Sequence, residues 1–96
     1  MRIIKKLPGQ RPEVVDIKNT LGALQEAVEG YIEAVTFAED AALICNEEGR
    51  LLGLQHNCTV LGVSFIGPVL AVGVTGEEFR GLRDEQLQPM LELLDK

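Results

Sequence analysis

A chain of 96 residues, 46% hydrophobic, with three Phe, one Tyr and no Trp, has material for one compact domain with an aliphatic core. No apolar run approaches the roughly 20 residues that cross a bilayer, and the first residues lack a signal-peptide pattern, so a bacterial-type cytoplasm is the expected location. The net charge of −6 is uneven. Five cations in residues 1–18 (Arg2, Lys5, Lys6, Arg11, Lys18) outweigh Glu13 and Asp16 to leave +3, so the remaining body carries −9. That balance disfavours the phosphate-driven binding that dominates nucleic-acid affinity.

In chain order, "RIIKKL" and "EVVDI" are short β-prone runs separated by "PGQRP". Proline presets one turn angle and glycine accepts the left-handed one, so an opening hairpin is expected. "NTLGALQEAVEG" changes to helical period, with Leu21, Leu24 and Val28 on one face, Asn19 or Thr20 as cap and Gly30 as left-handed stop. "YIEAVTFA" alternates, placing Tyr31, Glu33, Val35 and Phe37 on one side. Glu39-Asp40 turns the chain, "AALIC" returns as a strand, and "NEEG" turns again towards a further strand in "RLLGL". "QHNCTVLG" reads as loop. "VSFIGPVLAVGV" is the most β-like run, with an edge or bulge expected at Gly67-Pro68 because proline removes a ladder donor. "DEQLQPMLELLDK" has Leu87, Met90, Leu91 and Leu94 at helical spacing, with Asp84 as cap and Pro89 delaying or kinking the helix.

Candidate chemistry is sparse. His56 is the lone histidine, and no local signature of a cysteine enzyme joins it to Cys45 or Cys58. Two cysteines thirteen positions apart fit neither a disulfide framework nor zinc spacing, and Cys45 in "AALICN" reads as a small buried hydrophobe. Glu39-Asp40 and Glu47-Glu48 flank one expected strand, roughly 20 Å apart at about 3.3 Å per residue, too far to share a metal or a proton. "GVTGEEFRG" has neither the lysine of a P-loop nor dinucleotide spacing. Arg80 and Arg83 suit an anion, with a local salt bridge to Glu77 or Asp84 as the plainer role. The dispersed carboxylates mark turns and helix surfaces and do not form the phosphate-like array of a DNA mimic.

"PGQRPEVVDIKNTLGALQEAVEGYIEAV", followed by "LICNEEGRLLGLQHN" and later by "GPVLAVGVTGEEFRGLRDEQ", resembles the small-protein family known as domain of unknown function 3846, over about residues 3–88. Members of that family occur in bacteria, phages and mobile elements, some within large proteins that also carry anti-restriction modules. The resemblance transfers no catalytic residue. It implies a protein of a phage or mobile element that binds a host component, a defence protein being the attractive target.

The expected fold is therefore a single α+β domain over residues 1–96: a mixed or antiparallel sheet, one packed helix and a C-terminal helix. Its expected action is binding, without catalysis, cofactor or metal, and with a host protein as partner. The recognition surface is assigned to the Asn46–Asn57 loop with Tyr31, Arg50 and His56, since recognition groups concentrate on loops held by strands. A small anionic ligand, such as a nucleotide signal held by Arg50, Asn57, Arg80 and Arg83, is the alternative. A homodimer is also expected, as a way for so short a chain to bury more surface.

Overall fold

The opening hairpin forms where alternation and Pro8-Gly9 place it. In the computed structural model, which describes residues 1–95, β1 (Arg2–Lys6) and β2 (Glu13–Asp16) pair antiparallel with Ile4 opposite Val14. Helix α1 (Leu21–Val28) follows, and the Thr20 hydroxyl caps it by accepting the Ala23 N–H at 3.1 Å. The left-handed stop falls on Glu29, at φ 66°, one residue before Gly30. β3 (Ile32–Ala38) and β4 (Ala41–Asn46) form the next hairpin around Glu39-Asp40, with a register shift between Thr36 and Ala38.

Three expectations fail between Arg50 and Pro68. Arg50–Gly53 is a run of turns and not a strand. "QHNCTV" is not a loop: β5 (His56–Val60) pairs with β6 (Val63–Ile66) in a separate two-stranded sheet, closed by Leu61-Gly62, both at positive φ. Nor is there an edge at Gly67-Pro68. β7 (Val69–Thr75) begins just after the proline and takes the central position of the main sheet. Pro68 stands outside the ladder, so its missing donor costs no strand bond.

The main sheet runs β2-β1-β7-β4-β3, with every pairing antiparallel. β8 (Glu78–Arg80) pairs with β7 through Gly73 and Arg80. Because Gly73 also pairs with Ala41 on β4, β8 lies on the β1 side of β7. Both faces of the sheet are covered. On one, Leu24 and Val28 of α1 pack on Ile3, Ala42, Ile44, Leu70 and Val72. On the other, the C-terminal helix α2 (Asp84–Leu94) and the β5–β6 hairpin place Met90, Leu94, Cys58, Val60 and Phe65 on Ile4, Leu43, Cys45 and Ala71. Two covered faces explain why β4 is buried at every residue and reads as a continuous apolar run.

α2 starts at Asp84 without delay, and Pro89 sits inside it. The cap is Arg83, whose backbone N–H donates to Gln86 Oε1 at 2.9 Å, so Asp84 is the first helical residue. No helix among the described residues is long and apolar enough to cross a membrane.

Candidate functional site

The end of β4 is organised by Asn46. Its Oδ1 accepts the Glu48 N–H at 2.7 Å, and its Nδ2 donates to the Val28 carbonyl at 3.0 Å. The amide thus turns the chain and satisfies a carbonyl at the end of α1 that the helix leaves open. Gly30 makes room for it, because a β-carbon there would sit 2.6 Å from Asn46 Nδ2. Asn46 is buried, so its polar atoms serve the fold and face no partner.

Beyond Asn46 the chain winds into a compact loop. The Glu47 N–H donates to Tyr31 O (2.8 Å), Leu52 to Glu48 (2.9 Å) and Leu54 to Gly49 (2.9 Å). Gly49 lies against β6, where an added β-carbon would meet Ile66 O at 3.0 Å. The Gly67 N–H donates to Gln55 O at 2.8 Å and closes the base of the loop. The loop's crown points outward: Leu51 is 85% exposed and Leu52 59%, with Arg50 exposed beside them. A strand over "RLLGL" would not leave this adjacent leucine pair outward on one crown; the turns of Arg50–Gly53 do. The signal was present in "GRLLG", where two glycines bracket consecutive leucines that no period-two pattern could bury together.

The other expected surface residues separate. Tyr31 is 65% exposed where β3 begins, next to Glu47. His56 is exposed at the start of β5, with Nε2 3.4 Å from Thr59 Oγ1. Asn57 is buried. Its Oδ1 accepts from Lys6 Nζ (2.8 Å), and its Nδ2 donates to the Lys6 and Gly67 carbonyls (2.8 Å each). It is therefore a bolt between β1 and the β5–β6 hairpin, and it leaves the recognition surface.

Arg80 and Arg83 lie elsewhere. Arg80 donates to Thr75 Oγ1 (2.8 Å) and the Gly81 carbonyl (2.6 Å), with Gln86 Oε1 at 3.3 Å. Arg83 pairs with Asp40 and, at 2.7 Å, with Glu85. Neither pairs with Glu77 or Asp84, and Asp84 instead meets Arg2. Bonds to Glu85 and then Asp40 hold the Arg83 guanidinium in its charged form, raising its pKa. This cluster marks the Asp40 end of β4, while Arg50 follows the Asn46 end. Six residues of strand put about 17 Å between those ends. One chain therefore offers no common site where Arg50, Asn57, Arg80 and Arg83 converge on a single anion.

Both cysteines are buried in the core between the sheet and the layer of α2 and the β5–β6 hairpin, Cys45 from β4 and Cys58 from β5. Burial, and then the Glu33 carboxylate, push the Cys45 thiol up to about 11. Burial also raises Cys58, against the pull of Lys6. Thiols held protonated in this way are poor nucleophiles at neutral pH. Among the described residues, no group of three His, Cys, Asp or Glu side chains is arranged to hold a metal ion.

A family model described as Domain of unknown function (DUF3846) matches residues 1–95. No curated protein and no solved structure matches the chain.

Proposed function

The chain belongs to the DUF3846 family of unknown function, and we propose that it acts by binding, with the crown of the Glu47–Leu54 loop as its recognition surface and a protein as its partner. The observation that carries this reading is the outward Leu51-Leu52 pair on a loop fixed by its own backbone bonds. Exposing two adjacent leucines costs solubility without helping the fold, and a preformed loop loses little entropy on docking. Arg50 supplies a guanidinium at the same crown, while His56 is exposed at the start of β5, beside Gln55 at the loop's base. Apolar anchors beside an arginine suit a protein surface better than a nucleotide.

The partner is assigned to the host of a phage or mobile element, with a defence protein as the leading class, and the setting to the cytoplasm. This step rests on the family's settings. No catalytic role is assigned, since both thiols are buried and His56 has no acidic or thiol partner among its hydrogen bonds.

Leu51→Ser combined with Leu52→Ser tests the surface. Both side chains are exposed, so thermal unfolding should be unchanged while partner capture falls at least tenfold, a typical effect of removing a central apolar anchor. Undiminished capture by a folded double variant would place the surface elsewhere.

A further inference from the structure

We infer that two copies of the chain join edge to edge through β3, making one continuous antiparallel sheet about a two-fold axis at Val35. This inference is independent of the loop's role, because it uses a different face of the molecule.

The outer strands of the sheet differ sharply. β2 has four residues, two of them carboxylates (Glu13 and Asp16), and follows Pro12. β8 has three residues and carries Glu78 and Arg80. Short length, charge and proline are the usual means of keeping an edge from pairing with another chain. β3 shares none of this protection along most of its length. It has seven residues, Ile32–Ala38, and Glu33 is its only ionisable side chain. Its one concession is the register shift after Thr36. Its outer N–H and C=O groups form an open ladder in a main sheet whose other long strands, β1, β4 and β7, are paired on both sides.

The strand is also complementary to itself. With Val35 opposite Val35 of a second copy, Ala34 faces Thr36, and Glu33 lies towards Phe37 at the register shift. The two Glu33 carboxylates then lie about four residues apart along the strands, roughly 13 Å, and no like charges oppose each other. That matters for two bodies that each carry −6, because within Ile32–Ala38 no carboxylate opposes another, and Glu39 and Asp40 lie just beyond the paired stretch.

The same register gives Tyr31 a place. Alternation puts it on the α2 side of the sheet, with Glu33 and Val35. Past the register shift after Thr36 it meets the Ala38–Asp40 end of the second copy's hairpin, where a groove of about 370 Å³ opens between β3 and α2. Its apolar wall comes from Phe37, Ala41, Pro89, Met90 and Leu93, and Asp40, Glu85 and Gln86 also line it. An aromatic ring that is 65% exposed in one copy thus meets an unfilled apolar groove in the other, twice per dimer. Dimerisation assigns Tyr31 to the contact between copies and frees the loop crown for a partner.

The test is the mass of the full chain in solution by light scattering at about 100 µM. A dimer is expected, twice the 10.5 kDa of one chain. Thr36→Lys puts a cation on each edge beside the axis and should weaken the dimer more than tenfold. Tyr31→Ala, at an exposed position that the fold does not use, should weaken it as well and covers the case in which Thr36→Lys fails to fold. Val35→Cys should form an intermolecular disulfide on mild oxidation, since the native thiols are buried. A monomer at this concentration overturns the inference. So does a dimer insensitive to both Thr36→Lys and Tyr31→Ala, or one abolished instead by Leu51→Ser.

Discussion

Asn57 carries more of the fold than its position in a polar stretch suggests. One amide receives the buried Lys6 ammonium and covers two backbone carbonyls. Asn57→Ala would leave a buried cation and two carbonyls without that partner. Each uncompensated buried group costs about 1–3 kcal/mol, so a loss of about 3 kcal/mol or more is expected. That corresponds to a fall of roughly 12 °C or more in Tm for a domain of this size. A calorimetric change below about 1 kcal/mol would contradict the bolt. Cys45 carries a second prediction. Its folded pKa lies above that of the unfolded thiol, so the unfolded chain ionises first as pH rises. The stabilising contribution is complete below about pH 9 and is lost as pH climbs through about 11. Unfolding measured across that window should show stability falling, and Cys45→Ala should flatten the fall. Iodoacetamide labelling of either native thiol at neutral pH should be slow until the protein unfolds, and rapid labelling would contradict their burial.

The β5–β6 hairpin shows why some elements were legible in the sequence and others were not. The opening hairpin, α1, β3, β4 and the position of α2 follow from period and turn chemistry, because each buries a regular face against the sheet. β5 gives no such signal. Its exposed residues are His56 and Thr59 and its buried ones Asn57, Cys58 and Val60, so polarity does not track burial, and a register shift between His56 and Cys58 breaks the alternation. Asn57 is inside because it has a cation and two carbonyls to bond, and those partners come from residues distant in sequence. Likewise, Arg80 reaches the Asp40 carbonyl only because β8 and β4 both pair with β7 at Gly73, and Arg83 reaches Asp40 only when the start of α2 comes over the β3–β4 turn. The candidate surface was thus half legible: the loop's place after Asn46 was, and "GRLLG" carried a trace of its leucine crown, but the outward turn of that pair depends on the loop's own backbone bonds. The hairpin's turn yields its own prediction. Leu61 is 73% exposed and held at φ 50°, followed by Gly62 at φ 82°. A two-residue turn with both angles positive favours Asn-Gly. Leu61→Asn should therefore raise stability by about 1 kcal/mol in denaturant melts, by relieving the left-handed leucine. An unchanged or lower midpoint would mean that the leucine packs on something the hairpin needs.

At the scale of the whole molecule, covering both faces of a five-strand core path uses nearly all the helix and hairpin the chain has. Two of the features left uncovered carry the account: a leucine-crowned loop at the Asn46 end of β4, and an open, nearly uncharged edge at β3. The loop is assigned to a partner and the edge to a second copy, and neither assignment needs the buried thiols or the engaged arginines. The measurement that tests the binding account most directly is native mass spectrometry of tagged protein recovered gently from its own host, comparing the natural chain with the Leu51→Ser/Leu52→Ser double variant. The expected spectrum shows a host protein bound to the natural chain and absent from the equally folded variant. A host protein on both, or on neither, would contradict recognition through the loop. A small adduct lost on denaturation and present on both would point instead to a ligand-sequestering protein.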